Sequence, residues 1–423
     1  MADETICLLN DSFPPLIDGV ANTVCNYALH IQKAGLEPIV ITPSHPKAED
    51  SAFPYKVVRY KSVNFSKRDG YMAGVPFSPE AARQISEKNV SVLHSHCPIM
   101  STVLARAMRQ ISGAPIILTY HTKFDVDIAN VIKNPMLQSA SIKALVSNIE
   151  ACDEVWTVSR GAGENLRSLG YEGDYLVMPN GVDLPHGTIS THKINAATAG
   201  LDLPEGVPVF LFVGRMMWYK GIRLILDALA KLHRDHVDFR LMMIGGGDEL
   251  PEIQNYAEES GLGAKCIFTG PIFDREVLRA HYQRADLFLF PSTYDTNGLV
   301  VREAAAGDLA SVLIRSSCAS EGVTDGVNGF LVDENADSLY QTLSRLAKNL
   351  DLCREVGIGA GRDLYISWED SVKMAMQRYE VVVENNKRGL YRRQTKLVEG
   401  FLKANGELME ALAKISKFKN SWR

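Results

Sequence analysis

The residues best suited to chemistry fall in three short segments. In residues 290–306, FPSTYDTNGLVVREAAA, Asp295 and Glu303 stand eight positions apart. Asn297 and Gly298 have turn chemistry and Leu299 opens a helical pattern, so Asp295 precedes the helix that carries Glu303. The two carboxylates can then address two parts of one ligand. Each accepts more than one hydrogen bond, which suits the hydroxyls of a sugar. The N–H groups from Thr296 to Leu299 would offer a helix N-terminus to phosphate or hydroxyl oxygens. A plainer reading makes Asp295 an N-cap and Glu303 a solvated helical residue, and spacing alone does not choose.

The second segment is VGRMMWYKG at 213–221, where Arg215 and Lys220 follow an apolar run. At a strand end a guanidinium can grip two oxygens of an anion while an ammonium acts as a point charge, an arrangement that fits a diphosphate. Two solvated surface cations are the alternative. The third is PPLIDGVA at 14–21, between a strand and a helix expected to start near Asn22. Gly19 would let the backbone approach a phosphate closely. The loop has neither dinucleotide-fingerprint nor Walker spacing, and taken alone a simple turn is the better explanation of it.

These residues need elements to position them. Short apolar runs at 6–9, 38–41, 92–93, 116–119 and 155–158 read as buried strands, each followed by helical spacing. A second series runs through 209–213, 239–244, 266–269, 287–290 and 312–314. That rhythm predicts an α/β protein with two doubly wound domains, whose ligands sit at the carboxyl ends of the strands in an interdomain cleft. The Pro- and Gly-rich stretch 184–208 is the expected junction. The expected domains are 1–190, 205–375, and 376–423 as C-terminal helices with a tail. In that tail Leu397, Phe401, Leu408, Leu412 and Ile415 fall at helical intervals among eight Lys and Arg residues. It reads as a helix docked on the body or as a membrane-surface helix.

Composition sets the outer limits. The chain has 423 residues, 46% hydrophobic, with formal charge -5, so nothing demands a nucleic-acid partner. Seven scattered cysteines without a C-x-x-C pair argue against a disulfide framework or structural zinc and for a cytoplasmic setting. The N-terminal MADETICLLN carries acids where a secretory leader needs basic residues, and no run of about 18 apolar residues occurs. Any membrane contact is expected to be peripheral, at the inner face.

Taken together, the segments resemble the retaining glycosyltransferases of family 4, from Cys7 to about Tyr379. The family's E-x-x-G-L-x-x-x-E-A pattern matches DTNGLVVREA, supported by DGVA with Gly19, LTYHTKF with His121, VMPNGVD at 177–183, VGRMMWYKG and EGVTDGVNGFLV at 321–332. The resemblance implies a GT-B fold and transfer of a hexose, such as glucose, from a nucleotide sugar, such as a UDP-sugar, without cofactor or metal. Within that fold it implies that 1–190 is the acceptor-side domain and 205–375 the nucleotide-sugar-binding one. It further implies that Arg215 and Lys220 neutralise the diphosphate and that Glu303 holds the ribose. Asp295, with the backbone of Asn297, Gly298 and Leu299, would hold the sugar. His121 would lie at the reacting centre and Gly19 would back the phosphate. Asp295 is one methylene shorter than the usual glutamate, which bears on hydroxyl selectivity. Ala310 stands where the family has proline, and nothing in the sequence explains it.

Other clusters have competing readings. Asp125 and Asp127 spell D-x-D, either a metal-binding pair, which two carboxylates permit, or acceptor-side or capping residues. His96 closes the run from Val92 and is an acceptor-side candidate; His94 and Cys97 beside it lack a fourth ligand for zinc. The GGG at 245–247 is a donor-side loop or a tight turn. TYHTKF and the basic tail look like glucosyltransferases that modify diacylglycerol, which favours a lipid acceptor. A soluble acceptor, a nucleotide-sugar epimerase or a binding protein on the same plan are the alternatives.

Overall fold

Runs that are apolar on both faces and too short for helices are what a sheet covered on both sides requires. The two series of such runs build two separate parallel sheets. The computed structural model describes residues 4–16, 18–64, 72–75 and 78–391. The first series gives β1 (Thr5–Leu9), β2 (Glu37–Pro43), β3 (Lys56–Tyr60), β4 (Ser62–Asn64), β5 (Met72–Gly74), β6 (Val90–Ser95), β7 (Ile116–Tyr120), β8 (Glu154–Thr157) and β9 (Leu176–Val177). Seven of these form one sheet in the order β3-β2-β1-β6-β7-β8-β9, while β4 and β5 pair antiparallel beside it in sequence. The second series gives β10 (Val209–Val213), β11 (Arg240–Ile244), β12 (Cys266–Gly270), β13 (Leu287–Phe290), β14 (Ser311–Ile314) and β15 (Phe330–Val332), in the order β12-β11-β10-β13-β14-β15.

Strand alternation divides each core. Ile6, Leu8 and Val40 belong to one apolar cluster, and Cys7, Leu9, Ile39 and Ile41 to another, so successive residues of β1 and β2 feed opposite faces. Leu8 lies beside Val40 on one side and His94 on the other. In the second sheet Leu211 lies between Met242 and Phe288. Each chain path runs outward from its first strand and then returns to that strand's other side, creating switch points at β1/β6 and β10/β13. Loops diverge at such points and leave a crevice at the carboxyl ends of the strands.

The division into compact units differs from the expected one. One unit is Met1–Pro179 together with Trp368–Arg423, and the other is Asn180–Ser367. The helix Trp368–Lys387 buries Trp368, Val372, Ala375, Tyr379 and Val382, a stripe at three- and four-residue spacing, in the first unit's core. Arg378 binds Glu154 through both nitrogens at 2.8 and 2.7 Å, and Tyr379 stacks on Trp156 at 5.5 Å. Residues 184–208 belong to the second unit. There Ile189 donates its N–H to Gln283 Oε1 at 2.8 Å, and Gln283 returns a bond to the Gly187 carbonyl at 2.6 Å. Pro and Gly interrupt periodicity in this stretch without preventing packing. The tail from 392 onward lies outside the described residues.

Candidate active site

In the second unit the chain leaves β10, passes Arg215 and makes a short turn at Trp218–Lys220. Gly245, at the end of β11, has φ +140, and a Cβ there would meet the Gly214 carbonyl oxygen at 1.9 Å. Only glycine lets these two strand ends close together, so the GGG segment is a packing requirement under the Arg215 turn. Lys220 is 8% exposed, and its ammonium lies 2.6 Å from Asp295 Oδ1. Asp295 Oδ2 accepts from the Ser292 hydroxyl at 2.6 Å. Aromatic faces complete the surroundings, with Phe290 5.8 Å and Tyr219 5.5 Å from the ammonium. Burying one charge alone would be costly, so each partner stabilises the other. Arg215 is exposed, its guanidinium over the Tyr219 ring at 6.0 Å.

Asp295 precedes the helix Leu299–Ala306, as expected, and does not cap it. Its N-cap is Gly298, in the left-handed region at φ 57, with no side-chain cap. A Cβ on Gly298 would meet Ala319 at 3.0 Å, so both the backbone and its neighbour select glycine. Asn297 has both amide atoms buried without a hydrogen-bond partner. Glu303 is not merely solvated: Oε1 accepts from Arg275 at 2.7 Å and Oε2 from the Tyr282 hydroxyl at 2.9 Å. Burial first, and then the Glu303 carboxylate, push the Tyr282 phenol well above its usual range, so it remains a donor. Arg275 and Tyr282 were not expected. They lie 28 and 21 positions from Glu303, and no local pattern announces the contact.

In the first unit His96 and His121 directly follow β6 and β7, adjacent parallel strands. That register brings His96 Nδ1 within 3.0 Å of His121 Nε2, with the rings stacked at 5.3 Å. Burial pulls the His121 imidazole from 6.5 down to about 3 and leaves His96 and His94 well below the usual value. Burial thus favours the neutral imidazole at all three. His96 is 1% exposed and faces His121 and Tyr27. That His96 closes the strand from Val92 was legible, but not which neighbours cover it.

Gly19 begins its helix, Gly19–Lys33, three residues earlier than the expected Asn22. The reason is Asp18, whose Oδ1 accepts from the N–H groups of Val20 and Ala21 at 2.9 and 2.7 Å. Those two donors are engaged by a carboxylate. No atom lies within 4 Å of a Cβ built on Gly19, so local packing does not demand glycine there. Asp125 sits in the first turn of the helix Phe124–Val131 and accepts from Asn165 at 3.2 Å. The Asp127 side chain lies outside the described residues. Among the described residues no three His, Cys, Asp or Glu side chains converge as a metal-binding group.

Two family models match in tandem: Glycosyltransferase Family 4 over residues 17–185 and Glycosyl transferases group 1 over residues 194–361. This chain belongs to glycosyltransferase family 4. Similar proteins include the alpha-monoglucosyldiacylglycerol synthase of Acholeplasma laidlawii, 24% identical, covering 82% of this chain and 89% of that one. The GDP-mannose-dependent alpha-mannosyltransferase of Corynebacterium glutamicum is 25% identical, covering 90% of each. Among solved structures, Anabaena HepE in complex with UDP matches with TM-score 0.71 at 18% identity, covering 90% of this chain and 100% of that one. The glycosyltransferase therefore has the expected GT-B fold, and the family signature maps onto the Asp295–Glu303 helix entry of its second unit.

Proposed function

We propose that this glycosyltransferase moves a hexose, with retention, from a UDP-sugar to a hydroxyl of a membrane lipid such as diacylglycerol. The observation that carries the reading is the pairing of Lys220 with Asp295 at the β10/β13 switch point, beside the helix entry at Gly298. In this reading Lys220 and Arg215 take the diphosphate, Asp295 and the Asn297–Leu299 backbone the sugar hydroxyls, and Glu303 the ribose. Gly19 gives the donor phosphate close backbone approach, and His121 addresses the sugar as a neutral hydrogen-bonding group. The second unit is the donor unit and the first the acceptor unit.

Breaking the bond between the anomeric carbon and the phosphate oxygen places negative charge on the departing diphosphate. Fixed cations and the dipole of the Leu299–Ala306 helix stabilise that charge as it develops. The acceptor oxygen bonds to the anomeric carbon on the same face, and its proton passes to the leaving phosphate. No step uses a metal. The lipid acceptor is supported by the likeness to the Acholeplasma alpha-monoglucosyldiacylglycerol synthase. No described helix is long and apolar enough to cross a membrane, and the enzyme is proposed to work peripherally at the cytoplasmic face.

The test incubates full-length protein with UDP-glucose, UDP-galactose or GDP-mannose, with and without vesicles containing diacylglycerol. Release of UDP that requires the vesicles supports the reading. Release at the same rate without acceptor, or turnover of GDP-mannose alone, overturns it. Flotation with vesicles, compared with a chain ending at Tyr391, assigns the membrane contact to the tail or to the body.

A further inference from the structure

We infer that the corner between the helices Phe124–Val131 and Pro135–Glu150 is the part of the body that meets an anionic bilayer, with Met136 and Leu137 entering its headgroup region. The inference rests on the proposed lipid acceptor and names the surface that would bring the enzyme to it.

Local bonding builds the corner firmly. Ile132 donates its N–H to the Ile128 carbonyl at 2.7 Å, and Gln138 Nε2 donates to the Ile132 carbonyl at 2.6 Å. Asn134 caps the second helix, its Oδ1 accepting from the N–H groups of Met136 and Leu137 at 2.9 and 3.2 Å, with Pro135 in the first turn. The inward residues Ile142, Leu145, Val146 and Ile149 pack with Phe124 and Ile128 in one apolar cluster. Met136 and Leu137 take no part in it and are 80% and 57% exposed. No other adjacent pair of large apolar residues among the described residues is more than half exposed. Ala140 and Ala144, also exposed, continue the strip from Met136 at four-residue spacing. One exposed leucine needs no explanation, whereas two large apolar side chains on a fixed tip mark a contact surface.

Charge selects the partner. Between Asp127 and Glu150 the chain has no Asp or Glu, while Lys133 and Lys143 are exposed there. The whole chain has a formal charge of -5, so an acid-free face is where it approaches an anionic surface with least repulsion. An apolar tip flanked by lysines suits a peripheral contact: the tip enters the acyl boundary and the ammonium groups stay among the lipid phosphates. Two side chains are too narrow an apolar surface for a stable interface with a second copy of the chain. The position also fits. The helix Phe124–Val131 starts three residues after His121, so the corner lies one short helix, about 12 Å of rise, beyond the imidazole proposed to address the sugar. Contact here holds the acceptor-side unit against the interface where a lipid hydroxyl is presented.

Flotation of the full-length protein with vesicles of phosphatidylcholine, alone or mixed with phosphatidylglycerol, measures the contact. Joint replacement Met136→Ser and Leu137→Ser should lower partitioning by about tenfold or more, with the parent's melting temperature and UDP affinity, because both side chains are exposed. Joint replacement Lys133→Gln and Lys143→Gln should lower it about three- to tenfold on the phosphatidylglycerol vesicles only, and less so at high salt. Leu137→Trp should keep the binding and gain quenching by bromine-labelled lipids beyond that of the parent's own tryptophans. A serine double variant that partitions like the parent, or a Leu137→Trp variant with no added quenching, overturns the inference. So does loss of binding in Phe401→Ser with Leu408→Ser while the serine double variant still binds, which would give the contact to the tail. A parent that is dimeric in sedimentation where the serine double variant is monomeric would give the surface to a second copy and also overturns it. If the serine double variant loses vesicle binding but the parent transfers nothing to diacylglycerol, the lipid-acceptor reading fails and the surface stands. If the parent glycosylates diacylglycerol and the double variant matches it in rate and partitioning, the surface fails and that reading stands.

Discussion

The Lys220 ammonium and Asp295 Oδ1 lie 2.6 Å apart although 75 positions separate the residues. Parallel pairing of β10 with β13 makes this possible, since it brings the loops after the two strands to the same edge. In the proposed reading one group takes the diphosphate and the other the sugar, in contact with each other.

Lys220→Ala should lower affinity for UDP and UDP-sugar by about ten- to a hundredfold, since a charge-assisted hydrogen bond contributes roughly 1.5–3 kcal/mol. Calorimetric titration with UDP measures it. Unchanged affinity would remove Lys220 from the donor site.

Asp295→Glu restores the family's usual side-chain length. Transfer should persist, while the ratio of rates among UDP-hexoses changes by about tenfold, the worth of one hydroxyl hydrogen bond. Competition assays with mixed UDP-hexoses provide the ratio, and an unaltered ratio would show that Asp295 does not read the sugar.

Tyr282→Phe removes the hydroxyl that bonds Glu303 Oε2 at 2.9 Å. KM for the nucleotide sugar should rise about three- to tenfold with kcat nearly constant, because a neutral hydrogen bond contributes roughly 0.5–1.5 kcal/mol and acts here on ground-state binding. Steady-state kinetics separate the two constants; a selective fall in kcat would place Glu303 nearer the reacting centre than the ribose.

Burial holds His121 at about 3 rather than 6.5. Between those values the unfolded chain binds the proton more readily than the folded one. Stability present above the unfolded value is therefore lost as pH falls through this window. His121→Asn should reduce the dependence of unfolding free energy on pH by up to about 1.4 kcal/mol per pH unit there, one proton's worth. Urea unfolding across the window tests this, and equal slopes would mean that His121 is not buried neutral.

Dialysis against EDTA should leave transfer unchanged if Arg215, Lys220 and the helix entry take the leaving group's charge as proposed. A strict requirement for magnesium or manganese would return Asp125 and Asp127 to consideration as ligands.

The sheets were legible because burial on both faces writes an unbroken apolar run: β10 and β13 have the same bounds in sequence and structure. The strands β3, β9 and β15 were not, since edge strands such as Leu176–Val177 are short and exposed and leave little hydrophobic pattern. Spacing identified Asp295 and Glu303 but not what binds them. Lys220, Arg275 and Tyr282 reach them through tertiary packing, to which periodicity is blind. Asp18 was legible in principle, as an Asp before a helix is a capping signal. The return of Trp368–Lys387 to the first unit had no local sign, because an apolar stripe specifies that a face will be covered and not by what.

That return has a consequence for how the protein comes into being. Trp368, Val372, Ala375, Tyr379 and Val382 complete an apolar cluster otherwise built largely from the first 180 residues. A ribosome that has finished Pro179 must still make all of Asn180–Ser367 before the missing wedge emerges. Throughout that interval the nascent N-terminal half exposes greasy surface that only its own late-arriving helix can seal. A chain stopped just short of Trp368 would carry the same wound permanently, and should be a chaperone client or a precipitate rather than a smaller enzyme.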